Sequence, residues 1–334
     1  MNSYYEELKE EQREILERYL KIRRIFSLIC MYIYILIKEK RGVFIMKGIV
    51  LAGGKASRLY PATLVCSKQL LNVYDKPMIY YPLSILLECN IREILIICNS
   101  LNLALFENLF KTGEDLGVKF SYIVQKEARG IADAFILGEE FIGKDDVCLV
   151  LGDNFIYGNS LKSTLSEAAK NKEGAVVFGF HVENPHAYGI VEFDENGNVK
   201  SIEEKPKNPK SNYAVPGLYF YDNEVVNIAK KIKPSARGEL EITTVNEEYL
   251  KKGKLKVKLF EKDIEWKDMG THKDLLKTSN FVYEKQSSGK ELIACIEEIA
   301  YEKGFINKST LLKHGENLSK TEYGQHILKF AEGK

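Results

Sequence analysis

From Met46 onward, short continuous apolar runs alternate with segments in which apolar residues recur at helical spacing. Unbroken apolar strands separated by helices are typical of a sheet that is covered on both faces and is mostly parallel. This pattern predicts an α/β fold with a Rossmann-like, mostly parallel mixed sheet flanked by helices. We expect strands at 47–51, 93–98, 120–125, 147–151, 174–181, 189–193, 199–203 and 217–221.

Helical patterns fill the intervals between these strands and also the end of the chain. The dipeptide Asn196-Gly197 separates two predicted strands and is a signal for a small β-hairpin. We expect one α/β domain over 46–285 and a helical C-terminal tail over 286–334. The predicted helices are 77–89, 103–112, 130–142, 273–285 and 295–303.

Residues 1–45 differ from the rest and are predicted to be an N-terminal extension. Residues 4–24 are highly charged, and the apolar run 25–37 is flanked by basic residues. As a helix this run would span only about 20 Å, whereas a bilayer needs about 20 residues. Three interpretations stay open: an added amphipathic helix, a weak membrane-associated helix, or translated upstream sequence. We favour the last, because a complete strand and glycine loop begin at Met46.

Charge and cysteine content restrict the class of partner and the compartment. The 334 residues include 48 basic and 47 acidic side chains, which gives a net charge of +1. Such balance favours neither nucleic acid nor an anionic membrane as the main partner, so an anionic substrate would need local basic groups. The six cysteines contain no CxxC pair, which favours buried free thiols in the cytoplasm over disulfides or zinc.

The first strand leads into a glycine turn that is followed by basic residues. Gly53 and Gly54 would let backbone N–H groups approach a phosphate chain, and Arg58 and Lys68 could contact the same anion. Neither the GKS or GKT of a Walker A loop nor the GxGxxG dinucleotide fingerprint is present. By itself, a glycine pair in such a turn is more often structural.

A longer string carries a specific resemblance. Residues 51–63 read LAGGKASRLYPAT, residues 67–71 read SKQLL, and residues 73–82 read VYDKPMIYYP. Together they resemble the signature of the sugar nucleotidylyltransferase family, in its glucose-1-phosphate thymidylyltransferase branch. The resemblance implies that 46–285 is a nucleotidylyltransferase domain. It also implies transfer of a thymidylyl group from dTTP to glucose 1-phosphate, giving dTDP-glucose and pyrophosphate.

Two carboxylates are candidates for a metal site. Asp153 follows an apolar strand at the edge where ligands bind in open α/β sheets, and Asp268 lies in a later turn. Two aspartates and phosphate oxygens suit Mg²⁺, which prefers few protein ligands. Either aspartate alone would be an ordinary turn residue. The resemblance implies that both bind Mg²⁺ as the cofactor and that Arg58, Lys68 and Asp153 are catalytic.

The resemblance also implies two groups of substrate-binding residues, which we expect to line one crevice. A carboxamide both donates and accepts, so it pairs well with a pyrimidine imide. The implied nucleotide-binding residues are Leu51, Gly53, Gly54, Gln69, Gln125 and Gly130. The implied sugar-phosphate-binding residues are Asn154, Tyr188, Gly189, Glu204, Lys205 and Val215.

Several positions depart from the family pattern. Ala56 stands where a glycine is common, and strain is expected if its φ must be positive. Met269 and Pro216 each replace a usual threonine. These departures bear on activity and sugar choice. They leave open the same chemistry with UTP or another hexose 1-phosphate, or a catalytically weak nucleotide-sugar sensor.

The end of the chain also resembles the family's helical tail. Residues 294–301 read ACIEEIAY, and in the family this block builds subunit contacts. The resemblance therefore implies a homotetramer that acts in dTDP-rhamnose and polysaccharide biosynthesis. No nucleic acid or membrane partner is expected.

Overall fold

The computed structural model describes residues 46–289 and 291–333, which are built around a ten-stranded mixed sheet. The path of neighbouring strands is β10-β9-β11-β8-β12-β6-β1-β4-β5, and β13 pairs with β8. Two small sheets pair β14 with β7 and β2 with β3. The strands are β1 Met46–Ala52, β2 Asn72–Val73, β3 Lys76–Pro77, β4 Glu93–Cys98, β5 Lys119–Val124, β6 Asp146–Leu151, β7 Asn154–Tyr157, β8 Ala175–His181, β9 Gly189–Phe193, β10 Val199–Glu204, β11 Tyr213–Ala214, β12 Leu218–Tyr221, β13 Leu255–Leu259 and β14 Glu265–Asp268.

Helices cover both faces of this sheet. Along β1, Val50 belongs to one apolar cluster and Ile49 to another, as the two-residue period of a strand requires. The structure confirms the predicted α/β class, with a mostly parallel mixed sheet buried on both sides. The helices are α1 Tyr80–Glu88, α2 Leu103–Phe110, α3 Asp133–Leu137, α4 Glu139–Ile142, α5 Leu161–Ala168, α6 Glu224–Lys231, α7 Ile242–Lys251, α8 His272–Ser288, α9 Ile296–Glu302, α10 Lys308–Asn317 and α11 Glu322–Glu332.

The parallel half of the sheet positions the candidate site. Strands β6, β1, β4 and β5 run parallel in that spatial order, so their C-terminal ends lie along one edge. On the other side of β6, strand β12 is antiparallel. The residues that follow β1, β5 and β6 therefore converge at one edge, which is where an open α/β sheet binds ligands.

The small antiparallel elements bring in residues from the second half of the chain. Strands β9 and β10 form the predicted hairpin, and Gly197 in its turn has φ of +81°. Strands β7 and β14 pair so that Asp268 lies opposite Asn154, the residue after Asp153. This register places the two aspartates of the predicted metal site next to each other.

One predicted helix is wrong in extent. The range predicted as a single helix over 130–142 begins with a non-helical segment and contains two short helices, α3 and α4, which meet at Gly138. A Cβ at Gly138 would lie 2.9 Å from the carbonyl oxygen of Ala134 and 3.2 Å from the Leu95 side chain. Gly138 thus lets the chain pack closely against Leu95 of β4 where the two short helices meet.

The C-terminal part is helical as expected, with α9 to α11 after α8. The predicted domain boundary between residues 285 and 286 falls inside α8. No helix in the described ranges is long and apolar enough to cross a membrane. The predicted extension, residues 1–45, and its apolar run lie outside the described residues.

The cysteines within the described ranges are free thiols, as predicted. Cys66 is half-buried and the others are buried, namely Cys89, Cys98, Cys148 and Cys295. Burial raises the pKa of Cys89 to about 12 and that of Cys98 to about 11, which keeps both thiols protonated and unreactive near neutral pH. Cys30 lies outside the described residues.

Candidate functional site

A cleft with two adjoining hollows lies at the C-terminal edge of the parallel strands. The first hollow is lined by all the predicted nucleotide-binding residues and by Lys68, and the second by all the predicted sugar-phosphate-binding residues and by Asp268. Asp153, Glu204 and Lys205 line both hollows. The two predicted groups are therefore adjacent, and Asp153 stands where they meet.

Lys68 lines the first hollow and contacts Asp153. It lies in a single 3₁₀ turn, Lys68–Leu70, and its ammonium donates a hydrogen bond to Oδ2 of Asp153. Both side chains are mostly buried, with relative exposures of 14% and 15%. A basic and an acidic side chain are thus paired at the point where Asp153 borders both hollows.

Asp268 completes an acidic pair with Asp153. The N–H of Met269 donates to the carbonyl oxygen of Asp153 (3.0 Å), which holds the two segments together. Burial, and to a smaller extent the charge of Asp153, raises the pKa of Asp268 to about 6. The positive charges of Lys68 and Arg58 act in the opposite direction. Because the charge of Asp153 contributes to this shift, the two carboxylates lie close enough to interact electrostatically.

The donor set fits a hard divalent cation that is shared with substrate. No group of three or more His, Cys, Asp or Glu side chains among the described residues could hold a metal ion. Asp153 and Asp268 supply carboxylate oxygens only. Mg²⁺ commonly binds through one or two carboxylates, waters and substrate phosphates, so this pair is sufficient for it.

The glycine loop leads from β1 to Arg58. Gly54 has φ of +90° and Ala56 has φ of +48°, so two residues of the loop adopt left-handed backbone conformations. Ala56 therefore has the positive φ at which we expected backbone strain. Arg58 follows in the 3₁₀ turn Ser57–Leu59, and its guanidinium lies beside Gly270, where a Cβ would be 2.8 Å from Nη2. Gly270 leaves room for Arg58 next to Asp268.

One side of the first hollow is built around Gln125, the residue predicted to contact the base. Its Nε2 donates to Oδ2 of Asp133 (3.0 Å), and a Cβ at Gly53 would lie 2.7 Å from its Oε1. Gly130 has φ of +104°, and a Cβ there would lie 2.4 Å from the carbonyl oxygen of Leu240. Gly53 therefore leaves room for the Gln125 carboxamide, and Gly130 lets the chain pass close to the backbone of Leu240. Gln69 is buried and accepts a hydrogen bond from the Ser67 hydroxyl.

In the second hollow, Glu204 is the most connected charged group. The Thr243 hydroxyl donates to its Oε2 (2.6 Å), and Arg237 Nη2 and Lys205 Nζ lie 3.5 and 3.6 Å from its Oε1. Lys205 has φ of +45° and its N–H donates to the carbonyl oxygen of Tyr188 (3.0 Å). The left-handed backbone turns the chain directly after β10, at the rim of the hollow.

Backbone contacts hold the remaining predicted sugar-side residues in place. The Val215 N–H donates to the carbonyl oxygen of Gly189 (2.9 Å), and the Tyr188 ring packs edge-on against Trp266 with ring centroids 4.9 Å apart. A Cβ at Gly189 would lie 3.1 Å from the Thr243 hydroxyl. Gly189 thus leaves space beside the Thr243 and Glu204 pair.

Asn154 is buried, and its carboxamide is largely used within the protein. Its Oδ1 accepts from the Gly217 N–H (3.0 Å) and from Trp266 Nε1 (2.6 Å), and its Nδ2 donates to Oδ1 of Asp153 (3.2 Å). The Asn154 side chain therefore helps to orient the Asp153 carboxylate. The predicted contact of Asn154 with the sugar phosphate would use the second hydrogen on Nδ2.

Some residues that shape the site were not singled out from the sequence. Asp133, Thr243 and Trp266 fix the side chains of Gln125, Glu204 and Asn154. No local signal marks them, because each contact joins residues that are brought together only by the fold. Arg237, which lines the first hollow, binds Glu241 through Nη2 at 2.8 and 2.9 Å.

Comparisons with known proteins agree with this geometry. A family model described as nucleotidyl transferase matches residues 47–285. The glucose-1-phosphate thymidylyltransferase of Neisseria meningitidis is 51% identical over 284 residues, which cover 85% of this chain and 99% of that protein. The Mycolicibacterium smegmatis protein of the same name is 47% identical over 86% of this chain and 99% of its own length.

Solved structures share the fold. A Bacillus anthracis protein assigned as a glucose-1-phosphate thymidylyltransferase has a TM-score of 0.66 and 42% identity, over 71% of this chain and 94% of its own. A UDP-glucose pyrophosphorylase complexed with UDP-glucose has a TM-score of 0.64 and 26% identity, over 72% and 99% of the two chains. Identity is thus higher to the thymidylyltransferases than to this uridylyl enzyme.

Proposed function

The chain belongs to the nucleotidyl transferase family, and on that premise we propose that it transfers a thymidylyl group from dTTP to α-D-glucose 1-phosphate. The products are dTDP-glucose and pyrophosphate. The observation that carries this function is the cleft in which two hollows meet at Asp153, beside Lys68. Relatives that are 46–51% identical over most of the chain bear the name of this activity.

The reaction needs positioning and charge compensation rather than a protein nucleophile. A phosphate oxygen of glucose 1-phosphate is already ionised near neutral pH and attacks the α-phosphorus of dTTP in line. The bond from that phosphorus to the bridging oxygen breaks, and pyrophosphate leaves with the electron pair. Two phosphate anions at about 4 Å repel by several kcal/mol at intermediate dielectric, so cationic side chains are needed to bring them together.

We assign the cationic side chains by their places in the two hollows or beside Asp268. Lys68, in the first hollow next to Asp153, would offset the repulsion where the two phosphates meet. Lys205 lines both hollows and would neutralise the sugar phosphate, while Arg58, on the loop beside Asp268, would stabilise the departing pyrophosphate. Asp153 and Asp268 would hold Mg²⁺, which supplies charge neutralisation on the phosphate oxygens when bound.

Glu204 and Gln125 would select the two substrates. Glu204 can accept hydrogen bonds from glucose hydroxyls, and Thr243 holds its carboxylate toward the second hollow. Gln125 can pair with the thymine imide through its carboxamide. Leu51, Gly53, Gly54 and Gly130 would form the close-fitting backbone around the nucleotide.

Further features that the family resemblance implies complete the proposal. We infer a homotetramer that works in the cytoplasm and supplies dTDP-glucose for dTDP-rhamnose and polysaccharide synthesis. The resemblance implies that the tail block 294–301, which includes most of α9, would build the subunit contacts. Size-exclusion chromatography with light scattering would test the assembly, with four times the chain mass expected and a monomer as the contradicting result.

A pyrophosphate-release assay over a matrix of substrates tests the function. Purified protein is incubated with Mg²⁺, one of dTTP, UTP or dCTP, and one of several hexose 1-phosphates. The highest kcat/KM is expected for dTTP with glucose 1-phosphate. A higher kcat/KM with UTP or another sugar would replace the proposed substrates, and binding of dTDP-glucose without any turnover would identify a sensor instead.

A further inference from the structure

Gln125 is held by a residue to which the reaction above gives no role. Its Nε2 donates to Oδ2 of Asp133 at 3.0 Å, and relative exposures of 7% and 2% show that both side chains are buried. The other oxygen of Asp133, Oδ1, has no hydrogen bond, and the nearest cation is Arg129, with Nη1 at 3.7 Å. The Asp133 carboxylate is thus fixed in the wall behind the first hollow.

A carboxylate beside a carboxamide determines which end of the carboxamide faces it. An ionised carboxylate only accepts hydrogen bonds, so it must face the amide nitrogen, and a flipped carboxamide would set two oxygens against each other. The amide oxygen is then directed away from Asp133. Consistent with this, Oε1 is the atom that approaches Gly53, on the loop that lines the hollow.

The orientation matters because pyrimidines differ in the order of their donors and acceptors. Thymine and uracil present a carbonyl at position 4 beside an N3–H donor. Cytosine presents an amino donor at position 4 beside an N3 acceptor. A carboxamide held in one orientation places its oxygen and nitrogen opposite complementary groups of one base type. Against the other base type, it sets acceptor against acceptor and donor against donor. A carboxamide that can flip can pair with either type.

We propose that Asp133 is a positioning residue for base specificity, which pins the Gln125 carboxamide so that the cleft accepts imide pyrimidines and rejects cytosine. Oε1 accepts from N3–H, and the Nε2 hydrogen that Asp133 does not use donates to the carbonyl at position 4. Asp133 itself touches no substrate. This inference rests on the proposed function, because it assigns the first hollow to the nucleotide.

Equilibrium binding of dTTP and dCTP to Asp133→Asn tests the proposal without turnover. A site that leaves buried polar groups unpaired discriminates strongly, so wild type is expected to favour dTTP by about a hundredfold or more. Asparagine can donate as well as accept and therefore permits both carboxamide orientations. The preference of Asp133→Asn is expected to fall to about tenfold or less, mainly through tighter dCTP binding.

Two controls separate positioning from a structural role. The first control is Asp115→Asn, which removes one carboxylate from an exposed position outside both hollows. This variant should keep the wild-type preference for dTTP over dCTP. In a Gln125→Ala background, Asp133→Asn should have no further effect on the dTTP to dCTP ratio. The KM for glucose 1-phosphate should stay within about twofold of wild type in Asp133→Asn, since the second hollow is not altered.

Three results would overturn the proposal: equal affinity of wild type for the two nucleotides, an unchanged ratio in Asp133→Asn, or an equal loss of affinity for both. If Asp133→Asn does not fold, Asp133→Ser, whose hydroxyl also donates and accepts, should show the same loss of preference. Absence of product from wild type with dTTP and glucose 1-phosphate would refute the proposed function. It would leave the measured affinity ratio intact, so the two failures are distinguishable.

Discussion

Lys68 and Asp153, which are 85 residues apart in the chain, form an ion pair in which the Lys68 ammonium donates to Oδ2 of the aspartate. Asp153 lines both hollows of the cleft, and Lys68 lines the first. In the proposed reaction, Lys68 would lie close to the point where the two substrate phosphates meet.

We expect Lys68→Ala and Asp153→Asn to lower kcat by about 10²–10³-fold or more, because each removes a charge aimed at the transition state. Steady-state pyrophosphate release measures this loss, and circular dichroism checks that the variants are folded. Lys144→Ala, which removes an exposed lysine outside the cleft, should keep wild-type kcat. Wild-type rates from both cleft variants would remove these residues from the mechanism.

The sequence predicted the parallel half of the sheet closely. The strand predicted at 93–98 is β4 residue for residue, because a short apolar run buried on both faces leaves little freedom in its assignment. The helix predicted over 130–142 is wrong in extent. Its break at Gly138 depends on packing against Leu95, which helical periodicity does not encode.

The site could be predicted only in part, for the same reason. A motif marks residues such as Gly53 and Lys68, whose neighbours in the chain carry the signal. Thr243 and Trp266 contact Glu204 and Asn154 across 39 and 112 residues, and these contacts exist only once the strands are paired. The functional roles of the site residues themselves remain predictions, to be tested as follows.

Thr243 gives a test of the sugar side. Thr243→Val keeps the shape of the side chain but removes the 2.6 Å hydrogen bond to Glu204. A hydrogen bond to a charged group contributes about 1.5–3 kcal/mol, so the KM for glucose 1-phosphate should rise about tenfold or more while the KM for dTTP stays unchanged. Thr244→Val makes the same chemical change at the next residue and should have no effect. A change in the KM for dTTP alone would contradict the assignment of the two hollows.

Ala56 is predicted to store backbone strain. A φ of +48° costs a residue with a Cβ about 1–2 kcal/mol, and glycine at this position would not carry that cost. Glycine also has a larger conformational entropy in the unfolded state, so only part of the cost is gained as stability. Ala56→Gly should therefore raise the free energy of unfolding by about 0.5–1 kcal/mol in urea denaturation.

Gly54→Ala is the reciprocal control for Ala56→Gly. Gly54 has φ of +90°, and no atom lies within 4 Å of a Cβ placed there, so alanine at this position should destabilise through the backbone alone. Destabilisation by Ala56→Gly would show that the left-handed turn is not strained.

Asp146 gives a pH-dependent prediction for stability. Burial first, and then the charges of Asp222 and Asp145, raise the pKa of Asp146 to about 6, above that of an unfolded aspartate. The ionised carboxylate therefore destabilises the fold above pH 6, and the penalty disappears as the pH falls and the folded group is protonated.

Asp146→Asn, which removes that charge, should raise the thermal midpoint at pH 8 by about 2 °C or more. The difference from wild type should shrink to zero near pH 4. Differential scanning calorimetry over this range measures both values. An equal difference at every pH would show that Asp146 is not the group responsible.

The central claim, that Mg²⁺ and the cleft cations let two anions react, is tested most directly by product formation from dTTP and glucose 1-phosphate at varied Mg²⁺. We expect stoichiometric dTDP-glucose and pyrophosphate with Mg²⁺, complete loss after chelation, and recovery when Mg²⁺ is restored. We also expect Asp153→Asn and Asp268→Asn each to raise the Mg²⁺ concentration for half-maximal rate by about tenfold or more. Undiminished product in the presence of chelator, or wild-type Mg²⁺ dependence in both variants, would contradict a role for Mg²⁺ held by these two aspartates.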